Sequence, residues 1–340
     1  MRTLDGGQGE GGGQVLRTAL GCSLVTGEPF HIHRIRAGRA KPGLMRQHLT
    51  AVNAAVQLSG GRVEGACVGS TELTFHPGTV NPDKYHFAIG SAGSTTLVVQ
   101  ALLPALLLAS GPSELTFEGG THNPLSPPYP FLAEAFFRVV RSLGPAVEST
   151  LERVGFLPAG GGRFRMRINP APLGALCLLE RGEVVQRKAT ALVAQLPRSV
   201  ADRELAIVRD RLGWGPTDCH VDDCVGSTGP GNALVLKVVS EHVTEVVVAL
   251  GAPSISAARV ANEAVDAMEA YFDSRVPVGA FLADQLLMLL ALARKGQFRT
   301  GPLSLHATTQ VSLLHDLLGV TFQVREADAT SVTVEVQSAA

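Results

Sequence analysis

One pattern recurs three times along the 340 residues and constrains what the chain can fold into. A Gly-containing turn leads into an apolar helix, then a glycine, then a strand. The first copy runs from Gly11 through Leu20 and Leu24 to Gly27 and Phe30-His31-Ile32. The second runs from Gly93 through Leu102 and Leu106 to Gly111 and Leu115-Thr116-Phe117. The third runs from Gly279 through Leu286 and Leu290 to Gly296 and Phe298. After each strand come a polar turn and a second amphipathic helix, expected near 44–58, 130–143 and 309–318, then β-branched stretches. Each unit therefore reads strand, helix, strand, helix, strand, strand. Such a unit packs its helices on one face of its sheet, the α+β solution.

The spacing of the repeats is uneven. Gly27 to Gly111 is 84 residues, but Gly111 to Gly296 is 185. The excess of about 100 residues is the size of a small domain. The segment 182–276 fits it, with strands expected at 184–193, 233–239 and 245–249 and helices at 199–212 and 256–272. Ser199 with Asp202 resembles a helix-starting capping arrangement. The expected fold is thus α+β: three tandem βαβαββ repeats with a smaller α/β insert. Its segments are 1–80, 81–181, 182–276 as the insert, and 277–340.

The remaining composition narrows the class. Apolar residues are 45% and charged residues 17%, which marks a globular chain. Five cysteines and no apparent targeting segment point to a reduced, cytoplasmic setting. The longest apolar run, Leu97 to Ala109, is interrupted by Gln100 and Pro104 and falls short of the ~18 residues a membrane span needs. Net charge is −1, so bulk charge does not favour nucleic acid. Its distribution does more. Between Pro29 and Val63 there is no acid, while Arg34, Arg36, Arg39, Lys41, Arg46 and Arg62 all lie there. Such a patch suits a nucleotide or a short end.

The repeats also place polar residues at matching positions. Arg17, Gln100 and Gln285 lie 10, 11 and 11 residues before their glycines, each on an otherwise apolar helix. Because a buried polar side chain needs a partner, the recurrence favours a shared cleft over separately satisfied core groups. About ten residues after the same glycines stand Arg36 and Arg39, then Thr121 and His122, then His306. At equivalent strand ends around a pseudo-symmetric centre, these would converge. Neutral imidazole can act as base, nucleophile or ligand.

The stretch 6–13 has six glycines and opens a helix. Amides there can bind anions, or the glycines can simply serve a tight turn. It is not a Walker A loop, since no GK[ST] follows. Glu10, its one acid, could hold a divalent metal. The loop 36–48 is dense in arginine, whose fork matches phosphate oxygens, though it could also be a solvated charged loop. The Cys219-His220-Val221-Asp222-Asp223-Cys224 run lacks zinc-knuckle spacing, and His31 with His33 is a weaker metal candidate still.

At these residues the chain resembles the RNA 3′-terminal phosphate cyclase family. The motifs span nearly the whole sequence: LDGGQGEGGGQVLRTAL (4–20), IRAGRAKPGLMRQHLTAV (35–52), FAIGSAGSTTLVVQALLPALL (87–107), GFLPAGGG (155–162), GPGN (229–232), FLADQL (281–286) and SLHATT (304–309). Two departures stand out: Val154 where the family usually has Arg or His, and Phe281 where relatives often have Tyr.

The resemblance implies three repeats similar to the C-terminal domain of a translation initiation factor, plus one insert. It implies an ATP-dependent, ligase-like nucleotidyl transferase that converts RNA 3′-phosphate ends to 2′,3′-cyclic phosphates. His306 would carry AMP, helped by Arg36, Arg39 and Arg17. Gln100, Phe281, Leu282, Ala283, Asp284 and Gln285 would bind ATP. Gln47, Arg39 and His122 would orient the RNA phosphate. Glu10 would hold Mg²⁺ or Mn²⁺, and a homodimer is compatible. An enolpyruvyl transferase on a related fold, or a non-catalytic RNA-binding assembly factor, would need neither ATP nor His306 as nucleophile. A lysine-based transferase is disfavoured because none of the five lysines lies in a K-x-D-G motif.

Overall fold

The structure is a computed structural model and describes residues 1–337. Residues 338–340, the end of the last expected segment, lie outside the described residues. The chain opens with β1 (Arg2–Asp5), α1 (Gln14–Thr26), β2 (Phe30–His33), α2 (Arg46–Ser59), β3 (Arg62–Glu64) and β4 (Leu73–His76). Next come β5 (Lys84–Ala88), α3 (Thr95–Leu107), β6 (Ser113–Gly119), α4 (129–142, with a π turn at Leu132–Phe136), β7 (Ala146–Arg153) and β8 (Gly162–Asn169). A short β9 (Leu176–Leu178) precedes β10 (Val184–Ala194), α5 (Ser199–Leu212), β11 (Cys219–Asp223), β12 (Gly231–Ser240), β13 (Thr244–Leu250) and α6 (Ala257–Ser274). The chain then adds α7 (Ala280–Ala293), β14 (Gly296–Thr300), α8 (Leu305–Leu318), β15 (Thr321–Asp328) and β16 (Ser331–Gln337).

Three of the four sheets share one plan. Their orders are β1-β2-β4-β3, β5-β6-β8-β7 and β9-β14-β16-β15. In each, the first two strands are parallel and the other pairs antiparallel. A parallel neighbour needs a crossover, which α1, α3 and α7 supply in turn. Alternation along β6 and β8 buries Leu115, Phe117, Phe164 and Met166 on one face. Strand β9 falls in the expected 81–181 segment, yet it pairs in register with β14, Cys177 opposite Gln297. The fourth sheet, β11-β10-β12-β13, has its own apolar cluster with α5 and α6, around Val208, Trp214, Val265 and Met268.

Helix starts differ from expectation in two places. The α5 N-cap residue is Arg198, with no side-chain cap, and Ser199 is already helical. Arg198 instead reaches Asp202 and Asp223, at 3.9 and 3.6 Å. The last helix, α8, starts at Leu305 rather than near Thr309. Ser304 explains the early start: its Oγ accepts from Ala307 N–H at 2.9 Å, an N-cap worth about 1 kcal/mol.

Helix α3 is buried along its whole length except at Gln100. Pro104 lies inside it and removes the N–H that would bond the Gln100 carbonyl. Helix α1 packs against α3 where Gly21 meets the Pro104 ring; an added Cβ would sit 3.1 Å from Pro104 Cγ. Two carboxyls are buried in or beside the fourth sheet. Glu204 on α5 accepts from Asn232 Nδ2 at 3.1 Å, and Glu245 on β13 accepts from Gly279 N–H at 3.2 Å, just before α7. Among the described residues no helix is long and apolar enough to cross a membrane.

Candidate active site

The glycine-rich turn brings the two ends of the chain together. Gly9 and Gly11 take positive φ, 61° and 63°, which lets the loop double back over the 36–39 turn. Gly11 accepts from Gly38 N–H at 3.0 Å, and an added Cβ on Gly11 would lie 2.8 Å from that nitrogen. Beyond the loop, Gly13 caps α1 and leaves room for two cationic or ring groups. A Cβ there would stand 2.5 Å from His48 Nε2 and 2.8 Å from Arg17 Nη1. Gly9 abuts α8, and a Cβ there would overlap Thr309 Oγ1. Gly9→Ala is therefore expected to cost about 1–2 kcal/mol for the left-handed backbone alone, and more once Thr309 is displaced. A urea titration reads the loss, and an unchanged midpoint would show that the loop and α8 are not in register.

His306 occupies the second position of α8, not a strand end, and its side chain is 44% exposed. Its Nε2 contacts Glu10 Oε2, and the other Glu10 oxygen contacts Arg39 Nη2. Its Nδ1 lies 3.0 Å from Gln14 Oε1. Burial holds the imidazole pKa below its ordinary value, with Arg17 and Arg39 adding to the effect and Asp284 opposing it. Arg17, on α1, makes no ion pair or side-chain hydrogen bond among the described residues, and burial lowers it to about 10. An unpaired cation in that position is available to an anion.

Helix α7 supplies the opposite side. Asp284 Oδ1 accepts from Ser304 Oγ at 2.9 Å, and burial raises its carboxyl above the usual range. Gln285 Oε1 accepts from Gln100 Nε2 at 2.6 Å, which ties α7 to α3. Phe281 is 75% exposed in the first turn, with a ring face open to stacking. Gln47 Oε1 accepts from Ser94 N–H at 2.9 Å and so joins α2 to the start of α3.

Several expected residues sit elsewhere. Leu282 and Ala283, in the first turn of α7, turn their side chains into the core. Arg36 is mostly buried, and its Nη1 donates to the Lys41 and Gly43 carbonyls at 2.7 and 2.8 Å. It braces the loop that carries Arg39. His122 is 1% exposed, packs on Phe156, and bonds Thr121 Oγ1 at 2.9 Å. Burial lowers it to about 4, which favours the neutral ring.

The structure also adds residues the sequence reading passed over. Gln14, Thr18, Ser304 and Gln310 all bond in the His306 and Asp284 networks. The one available signal was spacing. Gln310 lies four residues after His306 on α8, and Thr18 lies four after Gln14 on α1, so each pair shares a helix face.

No group of three His, Cys, Asp or Glu side chains that could hold a metal alone occurs among the described residues. The 219–224 run forms no such group of three there. Glu10 is different in kind. A single carboxylate beside a phosphate site suits Mg²⁺, which keeps several waters and takes the rest of its ligands from nucleotide phosphates.

An imidazole held between a carboxylate and an amide, with Arg39 on that carboxylate and the unpaired Arg17 close enough to act on the ring, suits phosphate-group chemistry. A family model described as RNA 3′-terminal phosphate cyclase matches residues 8–324. The RNA 3′-terminal phosphate cyclase of Koribacter versatilis is 50% identical over 327 residues, covering 96% of this chain and 92% of its own length. That of Ectopseudomonas mendocina is 45% identical and covers 96% of each chain. The chain belongs to the RNA 3′-terminal phosphate cyclase family and is an enzyme of that family.

Proposed function

We propose that the chain uses ATP to convert an RNA 3′-terminal phosphate into a 2′,3′-cyclic phosphate, with AMP carried on His306. One observation carries the reading: a pKa-lowered, half-exposed imidazole stands between Glu10 and Gln14, with Arg39 and Arg17 near enough to lower its pKa further. A phosphate monoester lacks a good leaving group, so direct attack by the 2′-OH would have to expel oxide. Covalent catalysis divides that hard step.

In the first step an imidazole nitrogen forms a bond to the α-phosphorus, and the bond to pyrophosphate breaks. In the second, an oxygen of the RNA 3′-phosphate attacks the same phosphorus and the N–P bond breaks, restoring His306. In the third, the ribose 2′-OH attacks the RNA phosphorus and AMP leaves with its oxygen. Arg39 and Arg17 offset charge on the phosphates in each step. Phe281 stacks on adenine, and Asp284, Gln285 and Gln100 orient the nucleotide. Glu10 would hold Mg²⁺ or Mn²⁺, which neutralises phosphate charge when bound. A required 2′-OH makes the substrate RNA and not DNA. The three sheets of one strand order are read as copies of one repeat, similar to the C-terminal domain of an initiation factor.

The test is incubation with ATP labelled at the α-phosphate and Mg²⁺, followed by a denaturing gel. Acid-labile label on the protein, chased off by RNA ending in a 3′-phosphate and not by RNA ending in a 3′-OH, is expected. Absence of label with competent nucleotide and metal would discard the covalent route.

A further inference from the structure

The hydrogen bonds behind His306 run in one direction. Gln14, the first residue of α1, donates from Nε2 to the main-chain carbonyl of His306 at 2.9 Å and to Gln310 Oε1 at 3.2 Å. A main-chain carbonyl only accepts, so the Gln14 amide has one allowed orientation, with its nitrogen toward the α8 backbone. Its oxygen then faces His306 Nδ1 at 3.0 Å. The Gln14 NH₂ requires Gln310 to present its oxygen, and Thr18 Oγ1 donates to that same oxygen at 2.7 Å. An amide oxygen has no proton to give, so the proton between Gln14 and His306 belongs to Nδ1.

We infer that Gln14, backed by Gln310 and Thr18, is a positioning residue that locks the His306 ring in one rotamer with Nδ1 protonated. The functional half of this inference rests on the adenylation reading given above. Its physical half, the state of the ring, does not. The lock leaves Nε2, on the Glu10 and Arg39 side, as the attacking atom, with a lone pair to offer once the proton it shares with Glu10 has passed to that carboxylate or to solvent. When the N–P bond forms at Nε2, Nδ1 keeps its proton. The positive charge gained by the ring is met by Gln14 Oε1 on one side, while pyrophosphate leaves with the electrons of the broken P–O bond. Gln14 touches neither nucleotide nor RNA in this account. It acts through His306 alone.

The arrangement also explains why the partner is an amide. A carboxylate at position 14 would accept from Nδ1 equally well but would repel the His306 carbonyl and Gln310 Oε1. An apolar residue would supply neither bond, and the imidazole could then rotate or hold its proton on either nitrogen. Holding a reacting group about 1 Å from its productive position costs on the order of 100-fold in rate, and holding an imidazole wholly in the wrong tautomer about 10⁴-fold.

The experiment combines ¹⁵N-histidine NMR of the full chain with adenylation kinetics, on wild type, Gln14→Leu, Gln14→Glu and Thr18→Val. The His306 signals are assigned by their loss in His306→Ala. Wild type is expected to show a protonated Nδ1 and, after ATP, a phosphoramidate at Nε2 only. Gln14→Leu is expected to mix the tautomers, slow adenylation by about 100-fold and leave label at both nitrogens. Gln14→Glu restores the Nδ1–H state and much of the rate. Thr18→Val, which leaves Gln14 in place, gives an intermediate loss should Gln14→Leu fail to fold. An unprotonated Nδ1 in wild type, or a Gln14→Leu ring unchanged in tautomer, overturns the inference even with adenylation intact. A locked ring that Gln14→Leu releases, with no adenylate on any variant, sustains the positioning role and removes the proposed function instead.

Discussion

His306→Ala is expected to lose all covalent label from α-phosphate-labelled ATP and to lower RNA cyclisation by about 10⁴-fold or more. Removing a nucleophile ends a covalent route outright, and what remains is the rate that binding and charge stabilisation give alone. The residue lies in the first turn of α8 with its side chain 44% exposed, so little apolar packing is lost. Alanine is also the better helix former. The change frees Glu10 from one partner while its contact with Arg39 remains. The melting temperature should therefore stay within a few degrees of wild type, which separates lost chemistry from lost fold. A gel and a thermal melt on the same preparation check both halves. Label retained at the wild-type level would place the nucleophile elsewhere and break the link between this site and the reaction.

A second large effect concerns stability against pH. Burial lowers His48 to about 3, with Arg17 and Arg36 contributing, and lowers His122 to about 4. Both start from 6.5 in the unfolded chain, so unfolding takes up protons between those values. Their stability is fully present above pH 6.5 and is lost as pH falls toward 3 or 4. Burial raises Glu204 and Glu245 from 4.5 to about 7, against hydrogen bonds from Asn232 and from the Gly279 and Val246 backbone. For these two, unfolding releases protons, and their stability is present below 4.5 and lost as pH rises through 7.

Between pH 4.5 and 6.5 the two pairs oppose each other, and their slopes nearly cancel. Glu204→Gln with Glu245→Gln removes one side of the balance. Relative to wild type, the variant's unfolding free energy should then rise more steeply with pH, by about 2.7 kcal/mol per unit. Urea midpoints at four pH values across that window measure the difference. Equal slopes for the two proteins would mean that these carboxyls do not hold their protons in the folded state.

Much of this was legible in the sequence, for physical reasons that differ by element. The three helices before glycine stood out as long apolar runs, and α1, α3 and α7 occupy them. The insert's strands and helices fell within a few residues of their expected limits, since β10, β12 and β13 are long and β-branched. Strand β11 was missed because Cys219–Asp223 is polar and only paired on one side. Strand β9 has three residues, and its partner is β14, beyond the insert, which no local pattern can reveal.

The site divides in the same way. Residues standing out as polar on apolar helices, such as Gln100 and Gln285, did meet. Counting residues from a glycine cannot distinguish an exposed strand end from a buried one, and His122 lies buried between Phe156 and Thr121. Motif continuity likewise does not show that Leu282 and Ala283 face in while Phe281 faces out. Gln14 was hidden by its setting, one more polar residue after a run of glycines.

The contact between Gln14 and His306 joins residues 292 positions apart, and this sets an order of events at the ribosome. At about 5–20 residues per second, α1 is made roughly 15–60 s before the helix that completes its polar end. During that time the first two sheets have all their strands, while β9 waits for β14 and the face of α1 that α8 will cover remains open. His306 and the segment that seals the body arrive together. A chain that stops short of α8 thus lacks the His306 ring and the helix that closes over α1 at once.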